Sequence, residues 1–260
     1  MPKHSKTSLK KVKIDEKFLQ LDRYLQRTGQ FSRREAERII KSGKVTVDGK
    51  RETRPFRRVN VPVETVRVKG EIVEFASKHI YMVLNKPIGY VCTHIDDSKY
   101  KTIYELLPKD RHIFSVGRLD VETAGLLIIT SDGEFSRRME LPEYGIERVY
   151  KARLEGNLDQ SQIRRARRGL LLDNQRTKPI RIKKLGKCPG GEFVRVTVSE
   201  GKYHEVRRIF DKFQTPVISL VRLEYGTITV EGLAPGNWRA MTHNELETMK
   251  EKLGLVGNDA

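Results

Sequence analysis

Asp120 stands in the string SVGRLDVETAGLLIITSDGEF, residues 115–135. An apolar run ends at Val116, glycines follow at 117 and 125, and a second apolar run covers 126–130. The pattern predicts a loop mounted between two sheet strands, with Arg118 and Asp120 two positions apart on it. Rigidly mounted loops commonly hold catalytic groups. An ionised carboxylate placed there can add covalently to an electrophile or stabilise positive charge. On spacing alone, a plain connecting loop with a solvated aspartate fits the same string.

Two other segments carry chemistry-bearing residues. VYKARL (149–154) alternates as a strand, with Tyr150, Ala152 and Leu154 on one face and Lys151 and Arg153 on the other. Tyr150 reads there as a core tyrosine or as a ring facing a cleft; Lys151 and Arg153 are expected on the basic surface around that cleft. Residues 205–213 read as a helix with Val206, Ile209, Phe210 and Phe213 as its buried stripe. Arg207 and Arg208 lie on that helix, and Arg207 is four residues from Asp211, the spacing of a helical ion pair. Tyr203 and His204 stand just before it. Rossmann and Walker glycine patterns are absent, and the six histidines show no metal-ligand spacing. Cys92 and Cys188 are too few and too far apart for a disulfide framework or a zinc site, and fit a reducing compartment.

The elements that must position these residues follow from periodicity and punctuation. Residues 18–25 read as a short helix stopped by Gly29. Ser32 and Glu35 form a capping box for a helix over 33–42, with Ala36, Ile39 and Ile40 on one face and Arg34, Arg38 and Lys41 on the other. A strand at 45–47 runs into the Asp48-Gly49 turn, and further strands are expected at 59–63 and 66–68. Beyond residue 78, strands are expected at 80–84, 113–116, 126–130, 149–154, 193–198, 217–223, 227–230 and 238–241. Helices are expected at 133–141, 161–169 and 205–213, and a last one begins at the Thr242/Glu245 box. Strands dominate and helices are interspersed irregularly, so the fold class is α+β and not a repeating βαβ wind.

The chain has 260 residues, with 51 Lys and Arg against 34 Asp and Glu, a net charge of +17. Residues 1–76 hold 20 of those cations and 10 of the acids, a net +10 in under a third of the length. Such concentration suits a surface for phosphates, whose neutralisation releases condensed counterions. Residues 1–18 lack apolar periodicity and are expected to be a basic, disordered tail. No apolar run is long enough to span a membrane, and no apolar stretch follows the charged amino terminus as a secretory signal would require.

LDRYLQRTGQFSRREAERIIKSGKVTVDGK closely resembles the αL-type RNA-binding domain of ribosomal protein S-four, over residues 19–76. That resemblance implies that the helix opening at Arg33 lays Arg34, Arg38 and Lys41 against RNA, with Arg33 in the same group. GRLDVETAGLLIITSDGEF closely resembles the signature of the pseudouridine synthases, in the RsuA/RluB branch that modifies ribosomal RNA. VLNKPIGYVCT (83–93), ERVYKARLEG (147–156), EGKYHEVRRIFDKF (200–213) and GLAPGNWRAMTHNE agree in order with the same family. The S-four-type domain is that branch's usual companion, and together the likeness spans residues 19–250.

The resemblance implies a small N-terminal RNA-binding domain joined to a larger, mainly antiparallel-sheet catalytic domain over 78–250, with a tail at 251–260. It implies that Asp120 is the essential aspartate, Tyr150 stacks on the target uracil, and Arg207 pairs with the aspartate. Arg118 is implied to hold the nucleotide out of its helix. Lys86, with Pro87, shapes the sheet beneath the site and is counted with Arg118 among the substrate-binding residues. The implied activity is isomerisation of a specific uridine in ribosomal RNA by a cytoplasmic monomer, with base flipping and no cofactor or metal. The expected partner is ribosomal RNA or a pre-ribosomal particle. Two readings compete: a non-catalytic RNA-binding or ribosome-assembly protein, and a glycosylase releasing free uracil.

Overall fold

A computed structural model describes residues 18–61, 63–74, 79–94, 99–109 and 112–255. Residues 1–17 of the expected basic tail lie outside them, as do the last five of the expected C-terminal tail. The chain divides into two compact units. The first runs up to His79 and includes Lys109–Ile113 and the chain from Lys250 onward; the second is Ile80–Pro108 with Phe114–Met249.

In the first unit the elements are β1 (Phe18–Gln20), α1 (Leu21–Arg27), α2 (Arg33–Lys41), β2 (Val45–Val47), β3 (Lys50–Glu52), β4 (Arg58–Asn60), β5 (Val66–Val68) and β6 (Glu71–Ile72). The capping box on α2 is formed: Glu35 N donates to Ser32 Oγ at 3.2 Å and Ser32 N to Glu35 Oε2 at 2.7 Å. Asp48 and Gly49 both take positive φ, which lets two residues close the β2–β3 hairpin. Leu21, Leu25, Ala36, Ile40, Val45 and Val59 are fully buried and form the core. The expected helix over 18–25 is corrected. Its first three residues are a strand paired antiparallel with β4, Phe18 opposite Asn60.

The second unit contains β7 (Tyr81–Lys86), β8 (Tyr90–Val91), β9 (Lys101–Thr102), β10 (Phe114–Ser115), β11 (Thr123–Thr130), α3 (Gly133–Glu140), β12 (Arg148–Glu155), α4 (Gln160–Arg167), β13 (Leu171–Leu172), β14 (Gln175–Arg176), β15 (Arg181–Cys188), β16 (Gly191–Val198), α5 (Glu205–Lys212), β17 (Val217–Tyr225), β18 (Ile228–Thr229), β19 (Trp238–Ala240) and α6 (His243–Lys252). α6 carries the chain past Lys250 into the stretch expected as a tail. One large sheet has the order β15-β16-β12-β17-β11-β7-β19. Only β11 and β17 run parallel among these neighbours; the rest are antiparallel. Leu126 to Ile129 on β11 are all fully buried, so both faces of the sheet are covered there.

Two features bear on the site. The β11–β17 pairing brings Gly125 opposite Arg222, and a Cβ on Gly125 would lie 2.2 Å from the Arg222 carbonyl oxygen, so only glycine fits. β15 was not expected from the sequence. Its exposed lysines break the apolar alternation, and charged side chains are how proteins blunt a sheet edge.

Candidate active site

The loop between β10 and β11 is held by its backbone. Lys86, fully buried at the end of β7, donates through Nζ to the carbonyls of Pro87 at 3.1 Å, Asp120 at 3.0 Å and Thr123 at 2.9 Å. Gly89 N donates to Val121 O at 2.8 Å. Cys92 Sγ lies 3.5 Å from Leu119 N and 3.4 Å from Leu119 O. Thus the NKPIGYVC segment grips Leu119, Asp120, Val121 and Thr123, and the loop closes on itself where Thr123 N donates to Asp120 O at 3.0 Å. Burial draws the Lys86 ammonium down to about 8 and pushes the Cys92 thiol up. Lys86 is therefore corrected from a substrate contact to a positioning residue, because its donors are spent on carbonyls beneath the cleft.

With its backbone fixed, the loop presents the Asp120 carboxylate, about one third exposed, into a cleft of about 420 Å³. Its side-chain neighbour across the cleft is His204, whose Nε2 stands 3.1 Å from Oδ1. His204 immediately precedes α5 in a left-handed backbone conformation, φ 50° and ψ 29°. Its ring is stacked on Tyr203 with centroids 3.8 Å apart. A non-glycine residue held at positive φ is uncommon and marks a constrained site.

The expected ion pair between Arg207 and Asp120 is not formed. Arg207 lines the same cleft, but Nη2 reaches Glu122 Oε2 at 3.6 Å and Nη1 donates to Val217 O at 3.2 Å. The left-handed turn at His204 brings the imidazole to the aspartate, and the arginine three residues on is aimed at the loop's far side. Nor does Arg207 pair with Asp211. Arg118 is exposed and lines the cleft.

Tyr150 is buried on β12 and lines the cleft. It sits at a bulge: the register with β17 shifts between Val149 and Tyr150, setting Tyr150 opposite Arg222. Bulges re-aim side chains next to active sites. Lys151 and Arg153 alternate to the opposite face, so they do not surround the cleft as expected.

The sequence reading missed the cleft floor. Arg222 is buried, donates through Nε to Leu126 O at 2.7 Å, and leaves Nη2 with no hydrogen-bond partner among the described residues. Arg148 donates to the Tyr225 hydroxyl at 2.8 Å and to Glu200 O at 3.0 Å, and both guanidiniums lie within 5 Å of the Tyr225 ring centroid. Glu205 lines the same wall with a buried, unpartnered Oε2. Burial, then the Glu200 carboxylate, push it up to about 7. Only Glu205's place at the start of a helix is visible in sequence.

In the first unit Arg34, Arg38 and Lys41 are exposed on α2, opposite buried Ala36 and Ile40, and form no ion pair among the described residues. Arg33 differs. Its Nε lies 3.8 Å from fully buried Asp22 and 3.6 Å from Glu37, so its charge is partly engaged within the unit.

The cleft thus brings together a carboxylate on a clamped loop, a tyrosine ring and two buried guanidiniums. Residues 80–212 match the family model described as RNA pseudouridylate synthase, and residues 20–62 match that of the S4 domain. The chain belongs to the RNA pseudouridylate synthase family, which makes it an isomerase. It is 38% identical over 247 residues to ribosomal large subunit pseudouridine synthase B of Salmonella typhi, covering 91% of this chain and 82% of the relative. It is 34% identical over 236 residues to an uncharacterized RNA pseudouridine synthase of Aquifex aeolicus, covering 89% and 96%. A crystal structure of a pseudouridylate synthase aligns with a TM-score of 0.63 at 28% identity, over 89% of this chain and 99% of the other. The α+β class and the S-four-type domain ahead of a mainly antiparallel catalytic unit hold.

Proposed function

We propose that this chain converts a specific uridine of ribosomal RNA to pseudouridine, with Asp120 as the essential carboxylate. The carrying observation is the clamped loop that presents Asp120 into the cleft shared with Tyr150. The cleft volume falls within the roughly 300–1,000 Å³ of small-ligand sites, enough for one extruded nucleoside. Extrusion costs a few kcal/mol of lost stacking. Stacking on Tyr150 returns about 1–3 kcal/mol of it, and Arg118 at the mouth helps keep the nucleotide out of its helix.

The reaction breaks the bond from ribose C1′ to uracil N1 and forms one from C1′ to C5. The C5 proton is lost and N1 ends protonated, so nothing is oxidised and no atom is gained or lost overall. No cofactor is called for. Asp120 acts on the sugar or the base as the bond breaks, oriented by His204. Buried Arg222, opposite Tyr150, keeps positive charge beneath the cleft, and Arg207 keeps positive charge beside the loop through Glu122. Arg34, Arg38 and Lys41, with Arg33 at their edge, hold RNA phosphates. The chain works as a monomer in the cytoplasm, on ribosomal RNA or a pre-ribosomal particle.

The test is incubation of purified chain with ribosomal RNA from cells lacking the gene, followed by mapping of pseudouridine. New pseudouridine at one or a few positions is expected. Release of free uracil, or no modification by folded protein that binds the RNA, overturns the reading.

A further inference from the structure

The catalytic unit holds a second concentration of charge that its cleft does not use. Residues 161–188 contain ten Lys and Arg and one acid, Asp173, a net +9. The whole of 77–260 carries 31 cations and 24 acids, a net +7, so the rest of that stretch is net negative. A charge kept for solubility would be spread out.

The fold gathers four of these ten cations, Arg164, Arg165, Arg168 and Arg176, on one surface and adds Lys212 to them, whereas Arg181 and Lys184 pair with Glu147 and Glu192 and Lys183 lies on the sheet beside Arg195. α4 buries Ile163 and Ala166 and turns Arg164, Arg165 and Arg168 outward. Arg176 on β14 is tied to the end of that helix, its Nε donating to Arg168 O at 3.3 Å. Lys212 at the end of α5 reaches Leu171 O on β13 at 2.8 Å. None of these five cations forms an ion pair among the described residues, and Asp173 is taken by Arg208.

The surface is joined to the cleft at two points. Arg208, which holds Asp173, also donates to the carbonyl of Tyr203 at 3.2 Å, beside His204. Lys178 donates through its backbone N to Glu200 at 3.1 Å and through Nζ to Pro142 O at 2.5 Å, and both acceptors belong to cleft-lining residues.

Residues 161–188 contain no aromatic side chain. Single-stranded RNA is held by bases stacking on aromatic rings, whereas duplex RNA is held by backbone and shape. Resting on the reading above, we propose that the α4–β14 surface takes backbone phosphates of a double-helical RNA stem flanking the target uridine.

The experiment measures binding of the full chain to a 20-base-pair RNA duplex and to a 20-nucleotide poly(U) strand across a salt series. The variant combines Arg164→Gln, Arg165→Gln and Arg168→Gln, which preserves helix propensity. The comparison variant combines Lys151→Gln, Lys183→Gln and Arg195→Gln on the sheet face opposite Tyr150, with the same loss of charge. The α4 variant is expected to weaken duplex binding roughly tenfold or more at 0.1 M salt and to flatten the log–log salt slope by about two to three. The comparison variant is expected to flatten it by less than one. Equal effects of the two variants, or an unchanged slope, overturn the proposal, as does an equal loss on poly(U). Should the triple variant melt early, each single substitution is expected to flatten the slope by about one, and three single variants at the wild-type slope overturn it equally. Because binding is read without turnover, a wild-type chain that shows these slopes yet makes no pseudouridine overturns only the earlier reading.

Discussion

His204 Nε2 lies 3.1 Å from Asp120 Oδ1, while Arg207, three residues further along, spends its guanidinium on Glu122 and on a backbone carbonyl. The carboxylate is thus oriented by an imidazole held in a left-handed turn. Replacing His204 by Ala frees the carboxylate to rotate, and a fall in kcat of about ten- to a hundredfold is expected, with RNA affinity unchanged. His204→Gln keeps an N–H donor and should recover part of the loss. Single-turnover assays decide this, and full activity in the alanine variant would remove His204 from the mechanism.

Asp120→Asn keeps the size of the side chain and removes its charge. Turnover is expected to fall by at least about 10³-fold, while the dissociation constant for ribosomal RNA stays within about twofold. An active Asn variant would transfer the essential role to another residue.

Lys86→Met tests the grip on the loop. Two effects oppose each other. Each carbonyl left without its donor costs about 1–3 kcal/mol. Against this, relieving a buried ammonium drawn from 10.5 to about 8 returns roughly 3 kcal/mol. Stability is therefore expected to fall by no more than a few kcal/mol, whereas kcat falls at least tenfold as Asp120 loses its fixed position. Thermal melting and turnover measured on one preparation separate the two.

Glu205 supplies a pH prediction. Its carboxyl is raised from 4.5 to about 7, chiefly by burial. Between those values the folded chain holds a proton that the unfolded chain has released. Stability from this group is therefore present at low pH and falls as pH rises from about 4.5 through 7, by up to roughly 3 kcal/mol. Glu205→Gln mimics the protonated form. It should raise Tm at pH 8 and change it little at pH 5; an equal shift at both values would show that the carboxyl is not raised.

Much of the architecture is readable in sequence because burial writes a period into it. β12 alternates with Tyr150, Ala152 and Leu154 facing inward. α2 announces its start through Ser32 and Glu35. Where the period is erased, the reading fails: β15 is an edge strand coated with lysine, and β1 is a strand only because β4 lies beside it. Within the site, Asp120, Tyr150, Arg118 and Arg207 do share the cleft lining. Who touches whom was not readable. The turn at His204 decides that the imidazole, and not the guanidinium, meets the carboxylate. Arg222 was hidden because a lone arginine in an apolar strand has no distinguishing pattern until the β12 bulge places it opposite Tyr150.

The grip on residues 119–121 and 123 acts on the loop's main-chain atoms: two carbonyls for Lys86, one for Gly89, and one amide with its carbonyl for Cys92. Anchorage is thereby uncoupled from the identity of the loop's own residues. Arg118, Val121 and Glu122 can be exchanged for others without unseating the aspartate between them, so natural selection has latitude to retune which nucleotide neighbourhood is accepted while the reactive carboxylate stays where it is.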